Sequence, residues 1–178
     1  MDICIELGTI NEADELEQLY DAINDYLKKE INYPGWIKGI YPIRQTAIKG
    51  ITDNTLFVAK YKGKIIGSII LNHEPESGYS EAGWEFELDY SDVLVVHTLA
   101  VHPNYLKCGV GRNLMYFALQ YGRKQLIKSI RLDVYEGNTP AIRLYEKCGF
   151  NYIGTVDMGL ESYHLKWFKL YEKALFDK

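Results

Sequence analysis

The chain has 178 residues, 47% of them apolar, enough for one sizeable core and short of what two ordinary domains need, so residues 1–178 are read as a single domain. Twenty Lys and Arg against 24 Asp and Glu leave a net charge of −4, which removes the broad positive field that nucleic-acid binding draws on. The longest unbroken apolar run, near 93–96, falls far short of the roughly 20 residues that span a bilayer, and neither a membrane helix nor a signal peptide is expected.

Residues 3–7 read as a short opening strand, and Thr9 with Glu12, or Asn11 with Asp14, offers the helix start in which a side-chain oxygen caps a free amide. Leu16, Leu19, Tyr20, Ile23 and Leu27 then recur at three- and four-residue steps, an apolar stripe along one helix face. Tyr33, Trp36 and Tyr41 follow in a loop broken by Pro34, Gly35, Gly39 and Pro42, with the next helix near 43–51. Runs 56–61 and 65–71, separated by Lys62-Gly63, predict an antiparallel hairpin.

Residues 74–92 hold seven acids and no Lys or Arg, the pattern of a solvated loop. The stretch 93–101, VLVVHTLAV, is nearly all apolar and predicts a central strand covered on both faces. Val110, Leu114, Phe117 and Tyr121 mark a helix, and Ile130, Leu132 and Val134 alternate with Arg131, Asp133 and Tyr135 as a further strand. Strand, helix and strand in that order imply a parallel pair joined by a crossover. Asn138-Thr139-Pro140 opens a helix, with proline at its first position, and Cys148-Gly149-Phe150 closes it; 152–156 and 167–171 are two more strands. The fold class is α/β or α+β with a mixed sheet. Cys4, Cys108 and Cys148 are too few and too scattered for a disulfide framework or a zinc site, which implies a reducing, cytoplasmic setting and no metal.

Lys107-Cys108-Gly109-Val110-Gly111-Arg112 falls where the central strand hands over to a helix. Backbone amides converge there at the positive end of the helix, and Lys107 and Arg112 add charge, so the turn suits a phosphate; a tight turn with no ligand is the alternative. No Lys-Ser or Lys-Thr follows the glycines, and Leu114 stands where a dinucleotide fold needs its third glycine, which disfavours nucleotide kinases and dehydrogenases.

In this order, Leu99-Ala100-Val101-His102-Pro103, Gly109-Val110-Gly111, Asn138-Thr139-Pro140-Ala141 and the run 144–150 (LYEKCGF) resemble the GNAT family of acetyl-CoA-dependent N-acetyltransferases. The resemblance implies a mostly antiparallel sheet with one splayed parallel pair and flanking helices. It also implies pantetheine against the backbone of Leu99 and Val101, pyrophosphate on the amides of Lys107, Cys108, Gly109, Val110, Gly111 and Arg112, and Asn138 on the coenzyme arm. Leu106 stands where the family usually has Gln or Arg, so the resemblance implies binding by the backbone amides without a polar side chain at 106.

Spacing alone makes Tyr145 a core tyrosine of its helix; the resemblance makes it the hydroxyl facing the coenzyme sulfur, a general acid for the departing thiolate. His97 interrupts the apolar strand on the side of Leu99 and Val101. The near-neutral reference pKa of histidine suits it to take a proton from an ammonium substrate, directly or through water, and a hydrogen-bonded core histidine is the alternative. The same topology puts Trp36 or Tyr41 on the wall of an amine pocket facing Glu85, within an acidic segment that attracts a cation, unless the rings only close the core.

Cys108 and Cys148 lack a motif-placed base, so direct transfer is favoured over an acyl-cysteine route. The expected activity is transfer of acetyl from acetyl-CoA, as co-substrate, to the primary amine of a small molecule or peptide. No nucleic-acid or membrane partner is expected, and a homodimer is compatible with the chain. A non-catalytic module that senses acetyl-CoA, and transfer of a longer acyl group, are the alternatives.

Overall fold

The computed structural model describes residues 1–176. Seven strands form one mixed sheet in the order β1-β2-β3-β4-β5-β7-β6. They are β1 (Cys4–Leu7), β2 (Leu56–Tyr61), β3 (Lys64–Asn72), β4 (Val93–Val101), β5 (Ser129–Tyr135), β6 (Asn151–Leu160) and β7 (Leu165–Ala174). Four helices accompany them: α1 (Ala13–Lys29), α2 (Arg44–Thr52), α3 (Val110–Lys124) and α4 (Thr139–Lys147). The β4–β5 pair is parallel and the other pairings are mostly antiparallel, as expected from the strand-helix-strand order. The chain groups into two compact units: residues 1–32, 36–71 and 97–117 form the first, and residues 33–35, 72–96 and the part from 118 onward form the second.

In the first unit the Glu12 carboxylate accepts hydrogen bonds from the Thr9 amide at 2.8 Å and the Thr9 hydroxyl at 2.9 Å, fixing the entry to α1. The predicted stripe of α1 is buried: Leu16, Leu19, Tyr20, Ile23 and Leu27 pack with Ala47 and Ile51 of α2, Leu56 and Val58 of β2, Ile65 and Ile70 of β3, and Ala100. Each buried leucine, isoleucine or valine among them contributes about 1.5–3 kcal/mol by leaving water. The β2–β3 turn has Lys62 at φ 50° and Gly63 at φ 76°, the double left-handed turn whose twist matches that of a hairpin. Gly67 of β3 is set by close approach, since a Cβ there would lie 2.8 Å from the Ala100 carbonyl and 3.1 Å from Val110.

In the second unit the parallel register runs from Val93↔Ser129 to Val96↔Leu132, and Val93 to Val96 are all buried. Coverage on both faces therefore holds for the first half of β4 only, because His97, Leu99 and Val101 are partly exposed. The Asn138 Oδ1 accepts from the Ala141 amide at 3.4 Å to cap α4, which starts at Thr139, so Pro140 is its second residue and not its first. Gly149, at φ 81°, ends α4 as expected; the Phe150 N–H donates to the Tyr145 carbonyl at 3.1 Å and the Gly149 N–H to Glu146 at 3.0 Å.

Residues 74–92 depart from the solvated-loop reading. Tyr79 is 1% exposed and packs with Val93, Val95, Val156, Met158, Phe168 and Leu170, while Trp84, Leu88 and Tyr90 lie against that cluster. The acids of this segment alternate with apolar side chains that hold it to the sheet.

Candidate active site

The second half of β4 carries His97, Leu99 and Val101 on its partly exposed face, with Thr98 and Ala100 buried between them. Thr98 sits at φ 45° inside the strand. A β-branched side chain in the left-handed region costs about 1–3 kcal/mol and persists only where its surroundings hold it. Such a residue interrupts the pleat and re-aims the peptide that follows, here the one bearing the Leu99 N–H. The Thr98 hydroxyl is hydrogen-bonded to that of Tyr41, a residue that is 39% exposed. Trp36 and Tyr41 meet edge to face at 5.8 Å, and Trp36 packs on the α1–α2 core cluster. Deeper in the same unit the hydroxyls of Tyr20 and Ser68, both wholly buried, lie 3.3 Å apart; burial pushes the Tyr20 phenol up to about 12.

Beyond β4 the chain makes a short 3-10 turn, Pro103–Tyr105, capped by His102, whose Nδ1 accepts from the Asn104 amide at 3.2 Å. Burial holds the His102 imidazole below the usual histidine range. The predicted phosphate turn follows. Lys107 at φ 62° and Gly109 at φ 85° are both left-handed, residues 106–109 are exposed, and α3 begins at Val110. A Cβ on Gly109 would meet nothing within 4 Å, so this glycine serves the backbone angle and leaves open space over the turn. The Asn113 N–H reaches back to the Gly109 carbonyl at 3.0 Å, and the amides at the start of α3 have no partner within the helix. Cys108 is exposed in this turn, while Cys148 is buried at the end of α4. A separate cavity of about 260 Å³, lined by Glu15, Lys64, His102 and Tyr105 among others, includes none of the expected catalytic or binding residues.

In the second unit, Tyr145 is 6% exposed on α4, with its ring 6.4 Å from that of Tyr171 and 6.3 Å from that of Phe150. Burial pushes its phenol well above the ordinary tyrosine value, and the nearby charge of Asp133 adds to the shift. The Tyr79 hydroxyl donates to Asp133 at 2.8 Å, so one partly buried carboxylate on β5 faces two buried phenols. Asp133 carries no signal in the sequence, because an acid at an alternate strand position reads as solvent-facing. Asn138, on the same helix as Tyr145, spends its Oδ1 on the cap and keeps its amide nitrogen as a donor.

Glu85 is exposed, and its backbone N–H donates to Glu172 at 2.8 Å. The acidic segment is held there by a buried ion pair: Arg131 Nε donates to Glu172 Oε1 at 2.8 Å, with the two side chains 3% and 0% exposed. Ser129 also donates to that oxygen at 2.9 Å, and Arg131 donates to the Phe86 carbonyl at 2.6 Å. The guanidinium lies 4.3 Å from the Trp84 ring centroid and 5.4 Å from that of Tyr90. Among the described residues no group of three His, Cys, Asp or Glu side chains is placed to hold a metal, and no helix is long and apolar enough to cross a membrane.

Residues 16–150 match the model of the acetyltransferase (GNAT) family. Among curated relatives, the UPF0157 protein YqkA of Bacillus subtilis is 30% identical over 138 residues, covering 74% of this chain and 37% of that protein. The ribosomal protein bS18-alanine N-acetyltransferase of Escherichia coli is 35% identical over 60 residues, 34% of this chain and 40% of that protein. The chain thus spans less than half the length of either relative. In fold it is similar to a GNAT-family acetyltransferase from Streptococcus agalactiae, with a TM-score of 0.77 at 19% identity, over 99% of this chain and 96% of that one.

Proposed function

Because this chain belongs to the acetyltransferase (GNAT) family, we propose that it moves the acetyl group of acetyl-CoA directly onto a primary amine of a small molecule or peptide. The observation that carries the reading is the exposed left-handed turn at Lys107 and Gly109, leading into the amide-rich start of α3. Pyrophosphate would rest on the amides from Lys107 to Arg112, and the chain's Leu99 and Val101 backbone would hold the pantetheine arm. Asn138 would donate to that arm through its amide nitrogen.

In the reaction, the amine nitrogen attacks the thioester carbonyl, whose oxygen gathers negative charge and is met by the Leu99 N–H. A well-placed donor of this kind is worth roughly 2.7–4 kcal/mol in acyl transfer. The carbon–sulfur bond then breaks, and the thiolate takes the proton of Tyr145. Burial and the Asp133 charge support that role, since both keep the phenol protonated. The proton lost by the amine passes to His97 or to water, and solvent returns one to Tyr145.

On the acceptor side, Tyr41 presents its exposed ring while Trp36 supports it from the core, and Glu85 supplies negative charge for a cationic amine. Exposed thiols at Cys4 and Cys108 suit the reducing cytoplasm. The acceptor class draws support from the bS18-alanine N-acetyltransferase likeness. The test is release of free coenzyme thiol from acetyl-CoA across a panel of small amines and peptide N-termini. Amine-dependent release is expected; tight coenzyme binding with no release from any amine would make the protein a sensor.

A further inference from the structure

Thr98 is an unusual occupant of its position. A strand residue at φ 45° is normally glycine, which reaches that region without steric cost, yet this one is β-branched and 8% exposed. Something must hold it there. The contact that singles itself out is the hydrogen bond between the Thr98 hydroxyl and that of Tyr41, 57 residues apart in sequence.

Tyr41 is itself braced. Its amide donates to the Ile37 carbonyl at 2.9 Å, closing the turn in which it lies. Its ring rests edge-on against Trp36, whose carbonyl accepts from the Asn32 amide at 2.8 Å and whose indole packs on the α1–α2 cluster. On the other side, the Pro42 carbonyl accepts from Asn24 of α1 at 3.4 Å. Asn24 is 3% exposed and keeps this bond although its Oδ1 has no partner. The loop is therefore tied to the core cluster on one side of Tyr41 and to the first helix on the other, and its phenol reaches the strand as the end of a rigid strut.

What the strut fixes is the peptide after Thr98, the one that carries the Leu99 N–H. An ordinary extended residue at 98 would leave that N–H in the regular alternation of the strand; a left-handed one turns it. We propose that Tyr41 and Thr98 are positioning residues whose hydroxyl pair holds β4 in the conformation that aims the Leu99 amide at the acetyl carbonyl. This rests on the assignment of that amide to the carbonyl oxygen under the proposed acetyl transfer, and it gives the exposed Tyr41 ring a second task beside the amine.

The experiment pairs steady-state kinetics with the infrared carbonyl band of acetyl-CoA labelled with carbon-13 at the acetyl carbonyl, bound to the full chain. In the wild type that band is expected below its position in solution, because a hydrogen bond weakens the C=O bond. Tyr41→Phe and Thr98→Val should each return it toward the solution value and lower kcat by about 10- to 100-fold, with KM for acetyl-CoA nearly unchanged. The double variant should be no worse than either single one, and Thr98→Ser, which keeps the hydroxyl, should restore both readouts.

If Tyr41→Phe leaves the band and kcat as they were and raises only KM for the amine, Tyr41 serves the acceptor alone and the proposal is overturned. Should Thr98→Val fail to fold, Tyr41→Phe decides the matter, since it removes one oxygen from a residue whose ring is already exposed. A wild type that releases no thiol with any amine and shows no band shift would instead overturn the acetyl-transfer reading, and this proposal with it. Amine-dependent release with unaffected variants would leave that reading standing and remove only the strut.

Discussion

In the first unit two buried hydroxyls find neutral partners, Ser68 in Tyr20 and Thr98 in Tyr41, whereas the second unit buries a full ion pair, Arg131 with Glu172. The two solutions differ in what their loss does. A neutral hydrogen bond contributes about 0.5–1.5 kcal/mol net, so such pairs adjust local geometry without deciding whether the chain folds. A buried charge stripped of its partner is left in a low dielectric, at a cost of about 3–5 kcal/mol. The ion pair ties β5 and β7 to residues 85 and 86 and stacks under Trp84, so it secures the placement of a whole segment.

The contrast predicts its largest effect at Arg131→Met, which leaves Glu172 uncompensated and should lower stability by about 3–5 kcal/mol in urea unfolding. Adding Glu172→Met should recover part of that loss, and a double variant as unstable as the single one would show that the pair's charges are not what matters. Next is Tyr145→Phe, whose turnover should fall about 100-fold with KM for acetyl-CoA little changed. Under the proposed general-acid role the phenol acts in its protonated form, and its pKa is raised in the fold, so wild-type turnover should hold through pH 10 and be lost only as the pH climbs through the raised value. The phenylalanine variant should lack that alkaline fall.

Trp36→Ala should lower stability by about 2 kcal/mol, less than for a fully buried tryptophan, and raise KM for the amine while leaving that for acetyl-CoA nearly constant. Equal rises in both constants would assign Trp36 to the core alone. The smallest effect belongs to Tyr20→Phe, about 1 kcal/mol by thermal unfolding, because it leaves the Ser68 hydroxyl buried without its partner; adding Ser68→Ala should return most of it.

Much of the architecture was legible because it is written locally. The stripe from Leu16 to Leu27, the Lys62-Gly63 turn, the glycine stop at Gly149 and the crossover between β4 and β5 each follow from periodicity or turn chemistry within a few residues. The parts that were not legible depend on partners far along the chain. Arg131 and Asp133 occupy alternate strand positions that usually face water, and distant partners, Glu172 41 residues on and Tyr79 54 residues back, draw the first fully and the second partly into the interior. In the run 74–92 a count of acids hides Tyr79 and Trp84, which turn a charged segment into a packed one. Thr98 was illegible for a different reason. Threonine favours extended backbone, so no propensity signals a left-handed residue there, and the motif around it marks the site without marking the distortion.

Gly67 bears on how this sequence can change. It touches no substrate in the proposed reaction and carries no chemistry, yet the Ala100 carbonyl, Val110 and Leu114 fill the space where its side chain would start. Even alanine would have to push β4 away from β3, displacing the strand whose last residues lead to the glycine turn before α3. Position 67 is therefore constrained by volume alone, and in a library of all single substitutions it should be purged as strictly as Tyr145, for want of room and not of function.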